Sequence, residues 1–156
     1  MSENIEIPLK KPIDIAQEQE KPRLISILFF DFKSETPEGK LNLLGVFDQI
    51  YVDPEEKRTP PFGLFVRTRH TFDAPINVVV FDPKGKPQGG FSFSPSKGEI
   101  PEPRPPQMQV LGLVAFNAPI EGLYWFDVSY NQESIGGAVL QVEFRKLKES
   151  LEGEHK

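Results

Sequence analysis

The chain has 156 residues, enough for one domain of ordinary size, and no cysteine, which excludes disulfides and thiolate chemistry and favours a reducing cytoplasm. Its 23 acidic residues outnumber its 18 lysines and arginines, and the net charge of −5 disfavours nucleic acid and anionic membranes as partners. Thirteen phenylalanines, 16 prolines and 12 glycines indicate aromatic strands separated by turns rather than helices.

Residues 1–22 predict a mobile N-terminal arm, because they are polar, hold three prolines and lack any aromatic side chain. Their acidic start does not fit a signal peptide, and no apolar run in the chain approaches the roughly 18 residues that cross a bilayer. Alternating apolar residues leave a second possibility open, in which the arm adds an edge strand to its own sheet or to a partner's. These residues are Ile5, Ile7, Leu9, Ile13 and Ile15.

The folded domain is predicted to begin at Arg23, where a β-branched and aromatic run over residues 24–32 is typical of a buried strand. Turn residues at 36–40 separate it from a second strand over residues 41–52, which predicts a hairpin. Gly45 inside the second strand indicates a bulge or a close backbone approach.

A third strand over residues 62–72 alternates between two faces. Its core face is predicted to hold Phe62, Leu64, Val66, Thr68, His70 and Phe72. The opposite face then carries Phe65, Arg67, Arg69 and Thr71.

The rest of the chain continues the same pattern of short strands and turns. A strand over residues 76–81, a turn at 82–85 and a short strand near 90–93 precede a proline-rich crossover over residues 94–107. Three strands follow, over residues 108–116, 122–130 and 134–144, and a polar tail occupies residues 146–156. About eight strands without intervening helices predict an all-β, antiparallel two-sheet sandwich over residues 23–145.

No catalytic, metal or cofactor signature is recognisable, so the sequence predicts a protein that is not an enzyme and needs no cofactor. His70 is the only histidine inside the predicted domain, which is a poor basis for a metal centre or a catalytic relay. Five aspartates near strand ends lack the alternating spacing of a calcium loop and are interpreted as turn-forming residues. They are Asp31, Asp48, Asp53, Asp73 and Asp82.

Phe65, Arg67, Arg69 and Trp125 are the candidate binding residues. The two arginines share a predicted face with Phe65 and form a basic patch for a carboxylate or phosphate, although cross-strand pairing with glutamates is the simpler interpretation. Trp125 lies on the predicted polar face of its strand, where it either stacks on a sugar or anchors a protein. Coverage by a loop or by the N-terminal arm is the favoured interpretation for this tryptophan.

A few ordered segments resemble a family of small bacterial β-sandwich proteins of unknown function. Residues 28–31 (Leu-Phe-Phe-Asp) precede a hairpin at 39–48 (Gly-Lys-Leu-Asn-Leu-Leu-Gly-Val-Phe-Asp), a turn at 80–85 and Gly-Leu-Tyr-Trp-Phe at 122–126. The resemblance covers residues 23–145, and the hairpin is its most specific part. It implies an immunoglobulin-like sandwich in a bacterial cytoplasm and brings no activity or site residues.

The leading functional hypothesis is a non-enzymatic binding or assembly module with a protein partner, or self-association through edge strands or the arm. One alternative is a small-ligand or carbohydrate-binding protein that uses Trp125 or the face of Arg67 and Arg69. Another is a phage or virion accessory domain, which rests on analogy of fold alone.

Overall fold

Ten β-strands make up the secondary structure of residues 23–69, 75–93 and 107–146, the parts of the chain that the computed structural model describes. They are β1 (Arg23–Phe30), β2 (Phe32–Glu35), β3 (Leu41–Leu44), β4 (Gln49–Val52), β5 (Phe62–Arg69), β6 (Ile76–Phe81), β7 (Pro87–Phe93), β8 (Gln107–Val114), β9 (Gly122–Tyr130) and β10 (Glu133–Phe144). Predictions about the arm, His70, Asp73, the prolines of 94–106 and the tail from 147 lie outside the described residues. No helix in the described ranges is long and apolar enough to cross a membrane.

The strands form two facing sheets and a separate hairpin. The smaller sheet has the order β1-β5-β8 and the larger has the order β4-β10-β9-β6-β7, while β2 pairs only with β3. All pairings are antiparallel except that of β4 with β10, where Gln49 to Val52 run parallel to Gln141 to Phe144. The predicted all-β sandwich is therefore confirmed, with ten strands rather than eight and with one parallel pair that the sequence pattern did not indicate.

The first two predicted strands are each divided by one close contact. The carboxylate of Asp31 lies against Gly45, where an added Cβ would come within 2.5 Å of Asp31 Oδ2. Gly45 has a φ of 67°, a backbone conformation that side chains disfavour, and the amide of Asp31 donates to the Leu44 and Gly45 carbonyls. This confirms the predicted close approach, and it turns the chain so that β1 and β4 join different sheets.

The core lies between the sheets and is filled by side chains that alternate along the strands as predicted. On β5 the inward residues Phe62, Leu64, Val66 and Thr68 are all buried, and on β9 Tyr124, Phe126 and Val128 are inaccessible to solvent. Aromatic rings dominate the centre, where the Phe29 and Phe126 centroids are 4.8 Å apart in an edge-on arrangement. The predicted core face of β5 is confirmed for these four residues, while His70 and Phe72 lie outside the described residues.

Strand order and one tyrosine identify the type of sandwich. Tyr124, near the start of β9, donates its hydroxyl to the carbonyl of Ile120 at 2.6 Å. A tyrosine that bonds back to the chain four residues upstream, at the corner between the sheets, is the tyrosine corner of immunoglobulin-type domains. The sheets follow the same arrangement, with β1-β5-β8 as strands A, B and E and β10-β9-β6 as strands G, F and C. The protein is an immunoglobulin-like sandwich.

Candidate functional site

The four candidate residues from the sequence lie on opposite sides of the sandwich. Phe65, Arg67 and Arg69 project from the outer face of β5 in the smaller sheet. Trp125 projects from the outer face of β9 in the larger sheet. The structure therefore brings the first three together and separates them from Trp125.

Phe65 and Arg67 form one packed unit. Phe65 is 4% exposed, although the alternation placed it on the outer face, and the Arg67 guanidinium carbon lies 5.5 Å from its ring centroid. The Nη2 group of Arg67 donates to Gln109 Oε1 at 3.1 Å across the β5–β8 pair. The prediction that this arginine pairs with a glutamate is wrong, because its cross-strand neighbour is a neutral amide.

Trp125 is 40% exposed, so no described loop buries it, and its predicted coverage by the arm lies outside the described residues. Its indole lies above Gly137 of β10, where an added Cβ would come within 2.5 Å of the ring atom Cζ2. The indole Nε1 donates to Asp127 Oδ1 at 3.3 Å, and Ser134 Oγ donates to the same oxygen at 2.7 Å. The tryptophan thus covers a glycine and is held by a carboxylate, and it lines neither of the two apolar grooves beside β1.

A second aromatic residue covers a glycine on the smaller sheet. Phe30 of β1 lies directly opposite Gly63 of β5, and its ring occupies the space that a side chain at Gly63 would need. Phe30 is consequently 4% exposed although it points away from the sandwich core. Phe30 and Gly63 both line a depression in this face of the sheet.

Four exposed apolar side chains form what we call the apolar patch, defined by Leu28, Phe32, Leu44 and Leu113, of which Phe32 and Leu113 line this depression. Leu113 of β8 is 77% exposed and Phe32 of β2 is 70% exposed, and Leu44 lies opposite Phe32 on the hairpin. Between Leu113 and Phe32 runs a groove of about 350 Å³. Its lining consists of Phe30, Asp31, Phe32, Lys33, Gly63, Leu111, Gly112 and Leu113. Contiguous exposed apolar surface of this kind marks interaction sites.

A second groove of about 350 Å³ opens on the other side of β1, where this strand faces β10 of the larger sheet. It is lined by Ile27, Leu28, Phe29, Val46, Phe47, Asp48, Ala138 and Val139. Val46 is 53% exposed and Val139 is 44% exposed. Because Leu28 lines this groove and also belongs to the apolar patch, accessible apolar surface continues around β1.

The described groups with clearly shifted pKa values are Asp82 and Tyr124, which belong to the larger sheet or to its turns and not to the apolar patch. The Lys86 backbone N–H holds the pKa of the Asp82 carboxyl below its usual value, helped by bonds from Gln88 and the Lys84 N–H and opposed by burial. Burial raises the pKa of the Tyr124 hydroxyl. Asp82 and Asp53 both accept bonds from amides two residues ahead, which confirms the prediction that they form turns.

Comparisons with known proteins add a fold neighbour and no function. An immunoglobulin-like protein from Pseudomonas aeruginosa, known from its crystal structure, is 14% identical in sequence and superimposes with a TM-score of 0.39. The match covers 80% of this chain and 98% of that one. No protein-family model and no curated protein matches the chain.

Sequence reasoning missed the apolar patch because two of its exposed residues belong to runs that are typical of buried strands. Phe32 closes a run of apolar residues that begins at Leu24, and Leu113 lies in an uninterrupted apolar stretch of β8. The available signal was the glycine at position 63 in an otherwise aromatic and aliphatic strand. A glycine inside a strand often marks a place where another group approaches the backbone.

Proposed function

We propose that this protein is a binding module that docks a protein partner on the outer face of its smaller sheet. The observation that carries the proposal is the apolar patch, in which Leu113 and Phe32 leave most of their side chains in solvent beside a groove lined by Phe30. Isolated exposed apolar residues are ordinary, but a contiguous group around a concavity is typical of a docking surface.

The composition of the groove favours a protein over a small polar ligand. Its lining has two charged side chains, Asp31 and Lys33, among aromatic, aliphatic and glycine residues. Sugar sites need several convergent polar groups in addition to an aromatic platform. Trp125 offers an exposed ring without such a cleft, so the carbohydrate hypothesis receives less support from the geometry.

The test is a comparison of capture from a lysate of the native host by the full chain and by two matched variants. Phe32→Ser combined with Leu113→Ser removes the apolar patch, while Leu123→Ser removes a 59% exposed leucine from the outer face of the larger sheet. We expect the double variant to capture at least tenfold less of one or more proteins that the wild type and Leu123→Ser both retain. Quantitative mass spectrometry measures the captured amounts. Identical sets of captured proteins for all three chains would overturn the proposal.

A further inference from the structure

The outer face of the smaller sheet changes from apolar to basic along its strands. Gly63, Phe65, Arg67 and Arg69 follow one another on the outer face of β5, so the arginines continue the line that begins at the groove. The register places Arg23 of β1 directly opposite Arg69. Among the described outward positions of β1, β5 and β8 none is acidic, in a chain whose net charge is −5.

Arg67 is held in place by two contacts. Stacking on Phe65 and the bond to Gln109 restrict its guanidinium, and that bond uses one of the five N–H donors of the side chain. A planar guanidinium fixed on an apolar surface suits a carboxylate, which it can bind through two parallel hydrogen bonds. Since less side-chain freedom is lost on binding, such a group favours specific pairing over loose attraction.

The spacing defines the shape of a matching partner. Gly63 and Arg67 are four residues apart on one strand, which places the groove and the guanidinium about 13 Å apart at 3.3 Å per residue. The open face of a sheet commonly packs against a helix, and about 13 Å corresponds to roughly nine residues of helix at 1.5 Å each.

We propose that the outer face of the smaller sheet binds an acidic amphipathic helix of a partner protein. Apolar side chains of the helix enter the groove between Phe32 and Leu113, and carboxylates about nine residues away bind Arg67 and Arg69. This inference rests on the proposed function, and it adds the chemical class of the partner.

The probes are three fluorescent helical peptides of 18 residues that differ only in an apolar stripe and in a group of charged residues. The first combines leucine with glutamate near one end, the second replaces the glutamates by lysines, and the third keeps the glutamates and replaces leucine by serine. We expect the first peptide to bind the full chain at least tenfold more tightly than either of the others in fluorescence anisotropy. Its affinity should fall as salt is raised, because the arginines lie near the surface.

Charge reversal tests the assignment of Arg67 and Arg69 directly. Arg67→Glu should weaken the acidic peptide at least tenfold and strengthen the basic one, and Arg69→Glu, which leaves the Phe65 stack intact, should shift the preference in the same direction. Arg67→Gln serves as the neutral control, and thermal unfolding checks that each variant folds. Equal binding of acidic and basic peptides, or an unchanged preference in Arg69→Glu, would overturn the inference.

Other occupants of the face give different results. If the acidic and basic peptides bind equally and Leu113→Ser weakens both, the partner class is wrong while the proposed function stands. If no peptide binds and capture is unaffected in the double variant, the proposed function itself fails. Mass measured by light scattering that rises with concentration and returns to that of a monomer in Leu113→Ser would assign the face to a second copy and overturn the inference. If a free peptide of residues 1–22 displaces the acidic peptide, and the acidic and basic peptides bind equally well, the face would be assigned to the chain's own N-terminal arm. That result would also overturn the inference.

Discussion

Each outer face of the sandwich has an aromatic ring seated on a glycine, and the two rings have different surroundings. On the smaller sheet Phe30 fills the space above Gly63 and is 4% exposed, with apolar side chains around it. On the larger sheet Trp125 lies over Gly137 and is 40% exposed, with its N–H bonded to Asp127. An aromatic ring packed on a glycine therefore accompanies a depression in an apolar surface on the smaller sheet. On the larger sheet the same kind of packing leaves an exposed ring that is hydrogen-bonded to a carboxylate.

The difference shows that exposure of an aromatic ring does not by itself mark the more apolar surface of this protein. The visible ring, Trp125, completes a covering over bare backbone and is tied by a short hydrogen-bond chain to Ser134. The hidden ring, Phe30, lines the groove beside which Leu113 and Phe32 remain exposed.

The largest expected effect is the loss of stability on removing the hidden ring. Phe30→Ala should lower the free energy of unfolding by about 3–5 kcal/mol, because a buried aromatic side chain is lost and a cavity remains. Trp125→Ala should cost about 1–2 kcal/mol, because its ring is already partly hydrated. Urea unfolding followed by circular dichroism measures both, and equal losses would contradict the comparison.

A somewhat smaller effect is expected from filling the glycine under the ring. Gly63→Val should lower stability by about 3 kcal/mol, since the new side chain collides with the Phe30 ring. The matched control is Gly90→Val on β7, where an added Cβ has its nearest neighbour, the Val78 carbonyl oxygen, at 3.8 Å. That variant should change stability by less than about 1 kcal/mol. If Gly90→Val lowers the free energy of unfolding as much as Gly63→Val does, the loss at position 63 comes from placing valine in a strand. It would then not come from a collision with the Phe30 ring.

Lowering the pH should loosen the turn at Asp82, between β6 and β7 of the larger sheet, before it loosens the smaller sheet. The pKa of Asp82 is lowered in the folded protein, so its stabilising contribution is present above the unfolded value of about 3.9 and is lost as pH falls through the folded value. Hydrogen exchange should therefore show the amides of Lys84 and Lys86 losing protection at low pH while those of β1 and β5 keep theirs. Asp82→Asn should remove that pH dependence, and an unchanged acid profile in this variant would assign it to other groups.

The smallest effect on stability is expected at the apolar patch itself. Leu113→Ser should change the free energy of unfolding by less than about 0.5 kcal/mol, because a 77% exposed side chain has little buried area to lose. A similar result is expected for Leu123→Ser on the opposite face. The two variants should then differ in partner binding alone, and a large loss of stability in Leu113→Ser would mean that the leucine packs within the fold.

The sequence predicted the fold well because its strands alternate with a period of two and its turns have recognisable residues. The alternation on β5 placed Leu64 and Val66 in the core, and the turn at residues 82–85 was predicted from its turn-forming residues. The strand count was too low because residues 24–32 and 41–52 each read as one strand. The break between β3 and β4 depends on Asp31 meeting Gly45, a contact between residues 14 positions apart that periodicity cannot reveal.

The candidate surface was predicted only in part. Arg67 and Arg69 share a face in any strand, so their proximity followed from the sequence. The burial of Phe65 and the depression at Gly63 depend on which strands become neighbours, and the register of β1 and β8 against β5 sets both. Trp125 was assigned to the same group of candidates because local patterns do not say which sheet a strand joins.

The β2–β3 hairpin is inserted where the chain passes from one sheet to the other, and it pairs with neither. Phe32 and Leu44 can therefore change without altering a core contact or the register of either sheet. Residues 37–40 at its tip are exposed or lie in the turn closed by the Thr36 hydroxyl, which accepts a bond from the Lys40 amide. The hairpin is therefore a part of the surface whose side chains can be exchanged while the packing of the sandwich beneath is kept.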